Sequence, residues 1–191
     1  MLGAAWIFRS DIESIVRREL GMPARPAYGG RYLAGADESG KARIDSVLDA
    51  RADSTVLTED EVASLIVSQL RKLPRRSFDS LVVNLDNRSM ALQFWIPVSA
   101  VPDGVRNLIG GVLRPSESIQ LDGDVGMRYA GFGEWVLSGA KIRGIPIPLS
   151  LVKRMVADYL PAGTTELTFP VPREITGLRA VKRGLILYGG G

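Results

Sequence analysis

Between Ser118 and Ala130 apolar and polar residues alternate along the chain. Ile119, Leu121, Val125, Met127 and Tyr129 fall on one face, with Gly123 in the same phase. Ser118, Gln120, Asp122, Asp124 and Arg128 fall on the other. A period of two kept for about twelve residues predicts a strand roughly twice the usual five or six. Gly131 and Gly133 then turn the chain into a second strand reaching Ile142. The two are long, adjacent and antiparallel, each with one apolar face. Upstream, Leu81, Val83 and Leu85 share a face, as do Met90, Leu92, Phe94 and Ile96, while Asp86-Asn87 between them supplies a turn. That pattern predicts a hairpin. Trp95 and Trp135 lie opposite apolar faces, which makes parts of these strands apolar on both sides. Residues 102–113 fit a short helix or a loop equally. Near the end, Leu167, Phe169 and Val171 alternate, and "RGLILYG" supplies a last strand, with "REITGLRAVK" between them able to extend the sheet.

The helical signals are of a different period. Ser10 and Glu13 make a capping box that predicts a helix from Asp11 to about Leu20, closed by Gly21 and Pro23. Thr58 and Glu61 make a second one, opening a helix that runs to Leu73 before Pro74. Its stripe is Val62, Leu65, Ile66, Leu70 and Leu73, at spacings of three and four. From Met22 to Val56 no period is sustained. Pro23 to Arg43 reads as a linker or mobile insertion, followed by a short helix over Ile44 to Ala52. After Ile142 the chain reads "RGIPIPLSLVKRMVADYL". Gly144 lets the backbone bend, and Pro146 and Pro148 hold Ile145 and Ile147 extended. Ser150 is placed to cap a helix beginning at about Leu151, with Leu151, Val152, Met155, Val156, Tyr159 and Leu160 on its apolar side. The fold class expected is α+β: a long-stranded, strongly twisted antiparallel sheet wrapped on two amphipathic helices. Residues 1–21 form an N-terminal helix, 22–56 a linker or insertion, and 57–191 the main domain.

Composition narrows the chemistry. The chain has 191 residues, 46 % of them hydrophobic and 24 % charged, with a net charge of +3. It is long enough to bury a core without staples, and too weakly basic to argue for nucleic acid. It contains neither Cys nor His. Disulfides, thiolate nucleophiles and Cys-ligated zinc are excluded, and so is the commonest general base. Catalysis would have to run on carboxylates, Lys, Tyr or Ser, and the expectation is a protein that is not an enzyme and carries no cofactor or metal. The start, "MLGAAWIFRSD", resembles the last turns of a membrane anchor or signal segment, and equally a short buried N-terminal segment. A full span would take roughly 20 apolar residues.

Several short motifs read more simply as structure. Ser150 and Lys153 match Ser-x-x-Lys, but the Lys-Thr-Gly and Ser-Asp-Asn elements that accompany it in penicillin-binding enzymes are missing. Asp122-Gly123-Asp124 lacks the remaining ligands of a calcium loop. Gly131-Phe132-Gly133 joins two strands instead of opening a helix, so it reads as a turn. Arg71, Lys72, Arg75 and Arg76 cluster at a helix C-terminus, where cations complement the dipole. The same cluster would attract anionic headgroups at about 1 kcal/mol per charge.

In order, the elements are an amphipathic helix opened by Leu57-Thr58-Glu59-Asp60-Glu61, several long antiparallel strands, Gly144-Ile145-Pro146-Ile147-Pro148, a broad-striped helix and terminal strands from Val171 to Gly189. This arrangement resembles the bacterial tubular lipid-binding (TULIP-like) proteins, specifically the LmeA-type phospholipid-binding domain and its YpmS-like relatives. The resemblance covers Leu57 to Gly189. It implies a curved sheet around a helix, an apolar groove for acyl chains, and a place in the cell envelope, extracytoplasmic or membrane-anchored. Leu92, Phe94, Ile96, Val125, Met127, Tyr129, Met155 and Tyr159 are the expected groove wall, and Arg71, Lys72, Arg75 and Arg76 the expected headgroup or membrane contact. The expected partner is a phospholipid or another hydrophobic ligand. The alternative is a structural or interaction module of an envelope assembly.

Overall fold

The structure, a computed structural model, describes residues 29–49, 51–70, 79–98, 115–152 and 167–190. In chain order the elements are β1 (Gly30–Arg31), α1 (Ala36–Leu48), β2 (Ser54–Thr58), α2 (Glu59–Leu70), β3 (Asp79–Asp86), β4 (Ser89–Pro97), β5 (Ser116–Tyr129), β6 (Phe132–Ile142), β7 (Ile145–Pro146), β8 (Leu167–Pro170), β9 (Ile175–Val181) and β10 (Gly184–Gly189). A further helical turn covers residues 149–152. The fold is α+β, with a twisted sheet whose pairings are antiparallel.

The alternation in the sequence becomes the rungs of one apolar face. In the larger sheet, of order β1-β3-β4-β5-β6-β7 with β8 beside β6, Leu81, Phe94, Ile119 and Ile142 lie side by side across four strands. Val83, Leu92, Leu121 and Ala140 make the next rung, and Leu85, Met90, Gly123 and Leu137 the one after. Gly123 is needed there because the indole of Trp135 lies over it, donating from Nε1 to the Met90 carbonyl at 3.1 Å. A Cβ at Gly123 would stand 2.5 Å from that nitrogen. Trp135 therefore belongs to the same inner face as Val125, its partner in register. Trp95, by contrast, is buried on the other face, together with Val82.

Against the inner face packs a three-stranded sheet, β2-β10-β9. It brings Leu57, Ile175, Ala180, Leu185 and Leu187 into one core with Val62 and Ala63 of α2 and Val47 of α1. The capping box expected at Thr58 is formed in both directions. The Thr58 N–H donates to Glu61 Oε2 at 2.8 Å, and the Glu61 N–H donates to Thr58 Oγ1 at 3.3 Å.

Two expectations are corrected. The linker expected over Pro23–Arg43 is replaced, from Gly29 on, by β1 paired with β3 and by α1. The helix expected over Ile44–Ala52 starts earlier and ends earlier, at Ala36 and Leu48. Its helical character is masked in sequence because it docks through polar groups and a glycine. Ser39 Oγ and Arg43 Nε both donate to Glu61 Oε1, at 2.6 and 2.9 Å, and Gly40 admits the Leu65 side chain. The second correction concerns the junction. Ile145 and Pro146 do extend the sheet as β7, but the helical turn starts at residue 149. The Pro148 carbonyl accepts from the Leu151 and Val152 N–H groups at 2.9 and 3.3 Å. Pro148 is therefore the cap, and Ser150 lies inside the first turn. A proline sits well at a helix start, where its missing N–H leaves no bond unmade. The helix expected over 11–20, residues 102–113, and the stripe beyond Val152 lie outside the described residues.

Candidate functional site

β4 begins at Ser89, opposite Asp124, whereas β5 continues to Tyr129. Among the described residues the last ones of β5 therefore have no strand partner on the β4 side. The turn before β4, Asn87-Arg88, is locked into that gap. The Asn87 N–H donates to Asp86 Oδ1 at 2.8 Å, and Arg88 takes a left-handed φ of 64°. The Arg88 carbonyl accepts from the Val125 N–H at 3.0 Å, and the Arg88 N–H donates to the Ala180 carbonyl of β9 at 2.9 Å. The turn thus ties β5 to the second sheet and leaves an open cleft of about 600 Å³ beside it.

Val125, Met127, Val136 and Leu178 make the apolar part of this cleft, and Arg88, Arg179, Asp124 and Glu134 its charged part. Among the described residues none of these four charged side chains is engaged in an ion pair. The arrangement offers two cations and two anions beside apolar surface, within the size range of small-molecule sites. That chemistry suits an amphipathic ligand whose polar end carries charge.

The expected groove residues divide. Val125 and Met127 line the cleft. Leu92 and Phe94 are partly buried and pack on the core, in register with Leu121 and Ile119. Tyr129 is 56 % exposed at the end of β5, its ring centroid 5.1 Å from that of Phe132. The Ile96 side chain, Met155, Tyr159, Arg71, Lys72, Arg75 and Arg76 lie outside the described residues. Sequence reasoning missed Arg88, Arg179 and Glu134. Arg88 carried one weak signal, its position in a tight hairpin turn. Nothing local announces that β9 crosses β5.

A smaller cleft of about 300 Å³ lies between β1 and the start of α2, bordered by Gly30, Glu59, Asp60 and Arg183. Its carboxylates are already used. Glu59 Oε1 accepts from the Leu85 N–H at 2.8 Å, and Asp60 Oδ1 from the Arg31 N–H at 2.7 Å. These contacts hold the helix to the sheet and leave little chemistry open. At Glu61, burial acts to raise the carboxyl, but hydrogen bonds from Ser39 and Thr58 and the Arg43 charge outweigh it. The group is held below its ordinary 4.5. This too is structural, since its partners join α1 to α2. Among the described residues no three His, Cys, Asp or Glu side chains gather as metal ligands, and no described helix is long and apolar enough to cross a membrane.

Fold and cleft together define an α+β protein of two packed antiparallel sheets with an open, amphipathic site at the end of its longest hairpin. No protein-family model, characterised protein or solved structure matches the chain.

Proposed function

We propose that this protein binds an amphipathic ligand of the phospholipid class, without chemistry, in the cleft where β5 outruns β4, and that it works in the cell envelope. One observation carries the reading: Arg88, Arg179, Asp124 and Glu134, without an ion pair among the described residues, stand beside Val125, Met127, Val136 and Leu178 in one cleft. A zwitterionic headgroup would satisfy both signs of charge, and the first methylenes of an acyl chain would contribute about 0.8 kcal/mol per CH₂ covered. The seat differs from the one the resemblance implies, because the inner face of the large sheet is filled by its own core.

Native mass spectrometry after incubation with mixed phospholipids tests this. The expected result is a bound lipid mass on the full chain that is lost in the Arg88→Glu/Arg179→Glu variant. No adduct, or an adduct unchanged in that variant, would refute the cleft. The filled inner face favours a second reading, an interaction module of an envelope assembly. Crosslinking in the native envelope would then capture a protein through this end while no lipid mass is seen.

A further inference from the structure

The tip of the β5–β6 hairpin carries a second surface, separate from the cleft. Tyr129 and Phe132 face each other in register across the turn, 56 % and 40 % exposed, with ring centroids 5.1 Å apart. Exposed apolar side chains occur elsewhere too, as at Tyr32 and Leu33 or at Ile145, and single ones are ordinary on a protein surface. Two aromatic rings in contact at the turn of the longest hairpin are not explained by that.

The tip is firmly backed. Gly131 takes φ 85° to close the turn, and its carbonyl accepts from the Val171 N–H at 3.0 Å. The aliphatic stem of Arg173 packs over the same glycine, its Cγ 3.5 Å from where a Cβ would stand. Arg128, bulged out of the β5–β6 ladder, and Arg173 are both exposed, so cations flank the two rings. Arg88 and Arg179 stand nearby in the cleft. Carboxylates are present as well: Glu174 beside Arg173, and Asp124 and Glu134 along the hairpin.

We propose that this tip docks the protein on an anionic lipid surface. Tyr129, with an apolar ring and a polar hydroxyl tip, enters the headgroup layer where such rings are at home, and the wholly apolar ring of Phe132 goes in beside it. The exposed Arg173 then meets lipid phosphates at the level of the turn, and Arg128 adds positive charge beside it. A protein partner fits less well. Two aromatic side chains cover about 400 Å² even when fully buried, short of the roughly 800 Å² per side of a stable protein interface. A bilayer sets no such minimum. The proposal stands whether or not the cleft holds a lipid, because the tip and the cleft use different side chains for contact.

Co-sedimentation of the full chain with vesicles of phosphatidylcholine and phosphatidylglycerol, against phosphatidylcholine alone, tests it. Binding is expected on the anionic vesicles. It should fall tenfold or more in Tyr129→Ser/Phe132→Ser, fall about fivefold when one cation is neutralised in Arg173→Gln, and stay unchanged in Leu33→Ser. A Phe132→Trp variant provides a second readout that keeps the tip aromatic: its emission should shift to the blue and be quenched by brominated lipid. Absence of binding to anionic vesicles overturns the proposal, and so does equal binding by the double variant. Self-association that only the intact tip supports, without vesicle binding, would overturn it in favour of contact between two copies. Loss of the lipid mass in the Arg88→Glu/Arg179→Glu variant leaves these outcomes unaffected, so the two readings fail separately.

Discussion

Replacing Arg143 by Met should cost this protein about 3–5 kcal/mol. Arg143 occupies the turn after β6 with a left-handed φ of 53°, and its N–H donates to the Ser118 carbonyl at 3.1 Å. Its guanidinium grips Glu117 side-on, Nε to Oε2 at 2.6 Å and Nη2 to Oε1 at 2.5 Å. The Glu117 side chain is 1 % exposed, whereas that of Arg143 is 25 % exposed. The hydrogen bonds it donates to Glu117 raise the guanidinium above its ordinary value. The thioether of Met fills part of the space but takes the guanidinium's positive charge and two hydrogen bonds away from a buried carboxylate, and that is where the cost arises. For a chain of this size a kilocalorie moves the melting point by about 2–4 °C, so Arg143→Met should melt about 10 °C lower. Removing both charges, as in Glu117→Leu/Arg143→Met, should recover most of the loss, because the desolvation of the carboxylate disappears with it. Urea unfolding of the two single variants and the double variant, read as a cycle, gives the coupling directly. A cost below about 1 kcal/mol for Arg143→Met would place the pair with solvent-screened surface bridges and refute the argument.

Gly30→Ala should be among the most damaging small changes, since a Cβ there would stand 1.9 Å from the Glu59 carbonyl carbon; separating β1 from α2 should cost about 2–3 kcal/mol in urea unfolding. Glu61→Ala removes the capping box and the tie to α1, for about 3 kcal/mol by the same measurement. Because the folded Glu61 carboxyl lies below its ordinary 4.5, its stabilisation is full above the unfolded value and is lost as pH falls through the folded one; a plot of urea midpoint against pH should flatten in that window for Glu61→Gln. Trp135→Phe keeps the ring but loses the 3.1 Å bond to the Met90 carbonyl, and should lower stability by about 1–2 kcal/mol in chemical denaturation.

What was legible in the sequence was what neighbours in the chain decide. Strict alternation from Ile119 to Met127, and in the two strands around Asp86-Asn87, identified β3, β4 and β5 and their inner faces, because a strand turns each successive side chain to the opposite side. Thr58 and Glu61 announced α2 because a capping box is complete within four residues. Helix α1 escaped because what holds it lies elsewhere. Its charged and small residues become favourable only when Glu61 and Leu65 are brought against Ser39, Arg43 and Gly40. Trp135 was assigned to the wrong side for a related reason. The β6 ladder skips a residue between Leu137 and Gly139, and one such bulge reverses the side on which everything before it falls.

The candidate site was less legible still. Val125 and Met127 could be named from their period, but the cleft they line also needs Arg88 from a hairpin turn and Arg179 from β9, 91 positions later in the 191-residue numbering. The sequence by itself determined the alternating strands β3, β4 and β5 with their apolar phase, the α2 cap and the absence of cysteine and histidine chemistry, since each is a matter of residue type and short spacing. Only the tertiary structure decided that β5 outruns β4, that β9 lies against it, and that charges of both signs, without an ion pair among the described residues, meet there. Those depend on where two sheets pack, and packing is set by the sum of contacts between residues distant in the chain.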